Sequence, residues 1–388
     1  MKFFPFSLRG KGDADRGPML QTKQAGGVFS LSAGPRAHWS ERSFSSLARE
    51  GYMKNPVAHR SVRMIAEAAA AVPWLIAVDG KPMDSHPALD LIRKPGSRQT
   101  GVDFIETLVG HLLLSGNAFV AAATLGSVPR ELHLLRPDRV RVVAGSDGWP
   151  SLYEYRVGAH VARYPVEPPG AGLLHIRTFH PLDDHAGLAP LEAAQMALDL
   201  ANAATAWNKA LIDNSARPSG ALVYSPREGG NLSADQYERL KAELEEGYSG
   251  PARAGRPMLL EGGLDWKSMG LSPREMDFTE ARNGAARDIA LCFGVPPMLI
   301  GIPGDNTFAN YQEANRAFYR LTVLPLINRV AASFSAWLSD AYGEDLTFSH
   351  DLDQVAGLVA ERDQLWARLN AADFLSEAEK REAVGYGP

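Results

Sequence analysis

Between His175 and His185 the chain crowds three imidazoles and two carboxylates into eleven residues: His175, His180, Asp183, Asp184 and His185. Those are ligand types that a divalent cation accepts, and a metal-dependent hydrolase could be built on them. The run His180-Pro181-Leu182-Asp183-Asp184-His185 is equally the composition of a polar turn after a strand, and its spacing matches no metal signature. The chain contains no G-x-x-x-x-G-K-[ST] phosphate loop, no G-x-S-x-G elbow, and no G-x-G-x-x-G after a strand. The expectation is a protein that is not an enzyme, needs no cofactor and is not an ATP-driven motor. One cysteine, Cys292, excludes an intramolecular disulfide, fits a reducing compartment and reads as a small buried hydrophobe. Glu243, Glu245 and Glu246 read as a solvated helix face. Tyr311, Phe318, Tyr319, Phe334 and Trp337, at helical spacings, read as core before they read as a platform for stacking bases.

The elements that position such residues come from periodicity. At 388 residues the chain exceeds one simple core and implies several domains. Its net charge of −5 provides no global basic field toward nucleic acid or anionic membrane. No run of 18 apolar residues occurs, and the N-terminal Met1–Phe6 stretch is broken by Pro5 before it could act as a signal sequence. Residues 1–35 read as a flexible arm. Helices are expected over 43–52, from Asn55-Pro56 to about 72, over 86–92 and over 102–114. Strands are expected over 74–78, 118–124, 131–135, 140–143, 152–157 and 173–176, with Asp79-Gly80 as a turn. Helices followed by a small antiparallel sheet make this block α+β.

The chain then turns helical. Leu191 to Asn214 is one long Ala-rich helix, apolar around most of its girth, which requires burial on several sides. Residues 216–272 form a strand–helix–strand–strand module inserted before the next helix. Ser272, Pro273 and Glu275 announce that helix by a capping box, Phe278, Ala281, Ala285, Ile289 and Phe293 form its apolar face, and Gly294 ends it. Met298 to Phe308 reads as a loop. A longer helix follows from about Asn310 to Ser339, kinked by Pro325. A strand over 345–349 and a charged helical tail over 354–384 complete the chain.

In order and spacing these pieces resemble the portal proteins of tailed bacteriophages and the similar portals of gene transfer agents, over roughly residues 39–340. The segments that carry the resemblance are Leu114-Ser115-Gly116-Asn117-Ala118-Phe119, Leu134 through Val140, Gly187-Leu188-Ala189-Pro190-Leu191, Asn214 through Gly220 and, most specific, Ile289 through Gly301. The resemblance implies a multidomain portal fold. The wing would be 36–187, the stem helices 188–215 and 273–295, and the inserted α/β clip 216–272. The tunnel loop would be 296–309, the kinked tunnel helix 310–345, and a small helical crown 346–388.

The same resemblance implies a homo-oligomeric ring, usually a dodecamer, at the portal vertex of a virion capsid, assembled in the host bacterial cytoplasm. Double-stranded DNA would pass along its axis, pumped by the terminase large subunit. The major capsid protein and a head–tail adaptor would be further partners, and no membrane would be involved. Ile302, Pro303, Gly304, Asp305, Asn306, Thr307 and Phe308 would face DNA. Ala194, Leu198, Ala201, Phe278, Ala285 and Ile289 would pack stem against stem between subunits, and Tyr237, Arg239, Glu243, Arg253 and Arg256 would dock a partner on the clip. Residues 302–309 contain no Lys or Arg and one acid, Asp305, which suits a lining that must not grip phosphate. A non-portal structural or adaptor protein of the same particle is the other assembly reading.

Overall fold

Asn55 and Pro56 start the first long helix for a local reason. The Asn55 side-chain oxygen accepts from the backbone N–H of Val57 and Ala58 at 3.0 and 3.1 Å, and Pro56 sits where no donor is missed. The computed structural model describes residues 43–126, 128–166, 172–213, 220–224, 233–248, 264–268, 278–304 and 307–385. The arm 1–35, the capping residues Ser272 to Glu275, Arg253, Arg256 and the strand expected at 257–260 lie outside them. A single turn α1 (Phe44–Ser46) and a π-helical turn (Leu47–Met53) lead into α2 (Pro56–Ala70). Strands β1 (Trp74–Val78) and β2 (Lys81–Met83) form a hairpin at Asp79-Gly80, whose φ values of 49° and 75° are those a two-residue turn requires. After α3 (Pro87–Arg93), helix α4 (Gly101–Ser115) lays Phe104, Ile105, Leu108 and Leu112 into the core alongside α2.

Six strands follow: β3 (Asn117–Leu125), β4 (Val128–Leu135), β5 (Val140–Ala144), β6 (Pro150–Val157), β7 (His160–Pro165) and β8 (Leu173–Arg177). They make two antiparallel sheets, ordered β4-β3-β8 and β5-β6-β7. Phe119, Ala121, Leu135 and Leu173 on the first pack against Val140, Tyr153, Tyr155 and Tyr164 on the second. The sequence reading missed β2 and β7. β2 is three exposed residues with a central proline, and β7 mixes His160, Arg163 and Pro165 into its alternation.

The helical half contains α5 (Pro190–Ala193), α6 (Gln195–Asp213), the antiparallel pair β9 (Gly220–Tyr224) and β10 (Leu264–Ser268) with α7 (Ala234–Tyr248) between them in sequence, α8 (Phe278–Cys292), α9 (Phe308–Phe318), α10 (Leu324–Tyr342), β11 (Leu346–His350), α11 (Val359–Asn370) and α12 (Glu377–Val384). Three expectations change here. The Ala-rich helix is broken at Ala194, so a short turn precedes α6. The loop after α8 contains a 3-10 turn, Pro297–Ile300. Pro325, expected as a kink, stands in the first turn of α10 directly after a π-helical turn, Tyr319–Val323, which joins α9 to α10. The wider π turn is where the backbone accommodates a residue with no N–H to give.

Strand β11 opens the segment expected to be the crown, yet it pairs with β1 from Trp74↔His350 to Val78↔Leu346. Its outer edge is closed by α10: Ser339 and Ser335, one turn apart, accept from the N–H groups of Leu346 and Phe348 at 2.9 and 2.8 Å. Hydroxyls on a covering helix thus satisfy an edge that would otherwise be open to another strand. One core runs from Leu47 through α2, α4, β1 and β3 to α6, α8, α10, β11 and Leu358.

Candidate functional site

Helices α6 and α8 lie against each other, and five of the six residues expected to pack neighbouring subunits are buried within one chain. Leu198, Ala201, Ala285 and Ile289 are all buried in the common core, as is Ala194 at the break before α6. Phe278 opens α8. The alanines let the helices approach closely, and their burial is complete before any second copy arrives. α6 is fixed to the N-terminal block by Asn202, which donates to the Glu50 carbonyl at 2.8 Å and accepts from Asn55 at 3.2 Å. The other face of α6 stays in solvent: Met196 and Leu200 are 72 % and 49 % exposed, and Ala203 and Trp207 continue the same row. Within one chain, the helix expected to be buried on several sides, by its own fold or by copies of itself, leaves this row open.

The entry to this helix pair is tied to the end of α4. Gly116 caps α4 in the left-handed region, φ 71°, and Gly187 lies directly on it: a Cβ on Gly187 would stand 1.9 Å from the Gly116 carbonyl oxygen. Asn117 bridges the two, its side-chain oxygen accepting from the Gly187 N–H at 2.8 Å and from His175 Nε2 at 2.9 Å. Thr178 donates its hydroxyl to the Leu188 carbonyl at 2.7 Å. Two of the sequence segments that carried the family resemblance, 114–119 and 187–191, are therefore one contact.

The loop beyond α8 is closed at both ends. Gly294, φ 67°, and Val295 donate to the carbonyls of Leu291 and Ala290, both at 2.9 Å, which is the Schellman arrangement. Thr322, in the π-helical turn, donates to the Gly294 carbonyl at 2.6 Å. Leu299 and Ile302 are buried, Ile302 against Ala286 and Ala290 of α8, and Arg287 of α8 donates to the Pro303 carbonyl at 2.7 Å. Thr307 caps α9 by accepting from the Asn310 N–H at 3.2 Å. Of the seven residues expected to face DNA, Ile302 is turned into the protein and Gly304 and Thr307 are exposed. Asp305 and Asn306 lie outside the described residues, as does the side chain of Phe308.

The histidine run is dispersed. His175 is inside, stacked on Phe119 with ring centroids 4.2 Å apart, and burial, then Arg177, lowers its pKa to about 4. His180 and Asp183 face solvent and close a turn: His180 accepts from the Leu182 N–H, and Asp183 from the N–H groups of His185 and Ala186 at 2.7 and 2.9 Å. Those two backbone donors hold the Asp183 carboxyl below its usual value. Among the described residues no group of three or more His, Cys, Asp or Glu could hold a metal ion. Cys292 is half-buried, and burial, then Asp288, pushes its thiol up, which suits a packing role. Tyr237 and Arg239 are exposed on α7, and Glu243 lies on the same helix.

One helical run, Ala309–Tyr342, is long and apolar enough to cross a membrane by length and composition. Phe318, Val323, Ile327, Val330, Phe334 and Leu338 on it are buried in the common core, which accounts for that composition. Tyr311, expected in the core with them, is half exposed.

The chain is thus a mixed body of helices and sheets that holds two paired helices and a loop pinned at their junction. The family described as "Phage portal protein" matches residues 56–385. Over 343 residues the chain is 40 % identical to an uncharacterized protein of Rickettsia felis, covering 87 % of this chain and 88 % of that one. It is 28 % identical over 322 residues to the probable portal protein of Streptomyces phage phiC31, covering 79 % and 69 %. A chain in the neck of a native gene transfer agent (GTA) particle, computed with C12 symmetry, matches with TM-score 0.69 and 54 % identity over 90 % of this chain and 95 % of that one. The chain belongs to the phage portal protein family and is a portal protein of the kind found in phage and gene transfer agent particles.

Proposed function

We propose that this chain forms a twelve-subunit ring at the portal vertex of a phage-like or gene transfer agent particle, and that double-stranded DNA passes along its axis. The observation that carries the reading is the loop between α8 and α9. It is held at both ends, by Gly294 and Thr322 on one side and the Thr307 cap on the other, with Pro303 and Gly304 exposed between them. The C12 symmetry of the neck that contains a 54 % identical chain supports the ring. The absence of Lys and Arg from residues 302–309 supports a lining along which phosphates slide.

The proposed division of labour keeps 36–187 as wing, 188–215 and 273–295 as stem, 216–272 as clip and 346–388 as crown, the last with its first strand laid into the wing sheet. A terminase large subunit supplies the motor, the major capsid protein surrounds the wing, and a head–tail adaptor docks on the clip through Tyr237, Arg239, Glu243, Arg253 and Arg256. The role is structural rather than catalytic, carried out in the virion after assembly in the bacterial cytoplasm. Deleting Gly304 to Thr307 tests the loop: rings should assemble as before by electron microscopy, while DNA packaged per particle falls. Undiminished packaging in that deletion would remove the loop from the DNA path.

A further inference from the structure

The small sheet β5-β6-β7 has two unlike faces. Val140, Tyr153, Tyr155 and Tyr164 lie on one and pack against the β4-β3-β8 sheet. Side chains alternate along a strand, so the other face carries Arg141 of β5, Glu154 and Arg156 of β6, and Arg163 of β7. In register, Arg141 stands opposite Glu154, and Glu154 opposite Arg163. Glu154 is the one acid in the three strands. It accepts from Arg163 Nε at 3.0 Å, and its side chain is 16 % exposed against 69 % for Arg163. Arg141 and Arg156 are exposed, and among the described residues neither has an ion-pair partner. A single carboxylate therefore lies low between guanidiniums that stand in solvent. With strands about 4.8 Å apart and alternate residues about 6.8 Å apart along a strand, the three arginines leave the sheet about 8–10 Å from one another. One strand of duplex DNA passes about three phosphates in that span, at about 3.4 Å of helix axis each.

We propose that this outer face of the β5-β6-β7 sheet binds the phosphate backbone of double-stranded DNA, at a site separate from the loop after α8. The argument is charge complementarity. The chain as a whole carries −5, yet here three guanidiniums surround one carboxylate that is already paired. Arginine is suited to the task, because its planar fork meets phosphate oxygens two at a time. The aromatic side chains of the sheet are turned to its other face, so what this one offers DNA is contact with the backbone and not with bases. Residues 302–309, without Lys or Arg, form a segment that does not grip phosphate, whereas this face is built to hold it. The contact is complete within one copy and does not depend on a ring.

The test is binding of the full chain to a relaxed, covalently closed plasmid, followed by filter retention between about 50 and 200 mM salt. A closed circle has no end to thread through a ring, so its retention reports an outer surface. Arg141→Gln, Arg156→Gln and Arg163→Gln are measured singly and together, with circular dichroism to establish folding. Arg368→Gln, exposed on α11, is the control. Each single substitution should flatten the slope of log K against log salt by about 0.9, and the triple by about 2.7, while the control leaves it unchanged. Should the triple variant fail to fold, the singles at Arg141 and Arg156, which have no ion-pair partner to lose among the described residues, still decide. A native chain that does not retain the plasmid at about 50 mM salt, or a slope that the substitutions do not move, overturns the proposal. Poly-glutamate that displaces the plasmid at equal charge overturns DNA as the occupant and assigns the face to an acidic segment of a partner protein.

Discussion

Two glycines show how the same substitution takes opposite signs. A methyl on Gly187 would lie 1.9 Å from the Gly116 carbonyl oxygen, which is backbone and cannot swing away, while Gly110 in α4 has nothing within 4 Å of where a Cβ would be. Gly187→Ala should therefore destabilise the fold by about 3 kcal/mol or more, as forced overpacking does. Gly110→Ala should stabilise it by about 0.5–1 kcal/mol through helix propensity. Chemical denaturation of both variants checks the pair, and like-signed shifts would contradict the close approach. Largely buried histidines set the acid limit, His350 among them, its pKa lowered first by burial. His111 and His175 are both lowered from 6.5 to about 4, first by burial and then by Arg136 and Arg177 respectively. The folded chain refuses protons that the unfolded chain binds, so their stabilising effect is complete above about pH 6.5 and is lost as pH falls toward 4. Each contributes at most about 3 kcal/mol to that loss. His175→Phe keeps the ring against Phe119 but removes one titration, so melting temperature against pH should fall less steeply between 6.5 and 4 than in the native chain.

At the scale of elements, the loop after α8 is a strap fixed to its own helix. Arg287 donates to the Pro303 carbonyl, and Ile302 lies against Ala286 and Ala290. Arg287→Leu removes the tie but leaves the Schellman turn at Gly294 intact. Amide exchange at Gly301 and Ile302 should accelerate, with the core amides of α8 unchanged; equal protection in the variant would mean the guanidinium holds nothing. Sequence pattern disclosed this helix stop because Gly294 followed by two prolines admits no other reading. It also disclosed α2, whose start is written locally in Asn55-Pro56. It did not disclose the side of α6 that is buried, because a helix with alanine on most sides carries little directional signal until α8 is known to lie along Leu198. It missed the partnership of β11 for the related reason that strand pairing between 74–78 and 346–350 depends on nothing local to either strand. The tie from Arg287 was equally hidden, since a charged residue on a helix reads as solvent-facing until the loop folds back over it.

For the whole molecule, the distribution of the core predicts which parts unfold together. The main core contains residues from Leu47 to Ala201 and from Ala285 to Leu358, and no described residue between them belongs to it. The N-terminal block and helices α6 and α8 thus share one apolar interior. Leu198 and Ile289 stand in the same cluster as Phe104 and Phe334. Removing Leu198 to alanine should cost about 2–5 kcal/mol and be felt throughout, because it opens a cavity in that shared interior. None of the described residues between 216 and 272 belongs to that core. Replacing this inserted module by a short glycine-serine linker should leave the principal calorimetric transition within about 4 °C of the native chain, since a change under about 1 kcal/mol moves Tm by no more than that in a body this large. A loss of the transition would show that the insert supports the two helices it separates in sequence. Its persistence, together with failure of the shortened ring to bind a head–tail adaptor, would show that stability and partner docking lie in different parts of the chain.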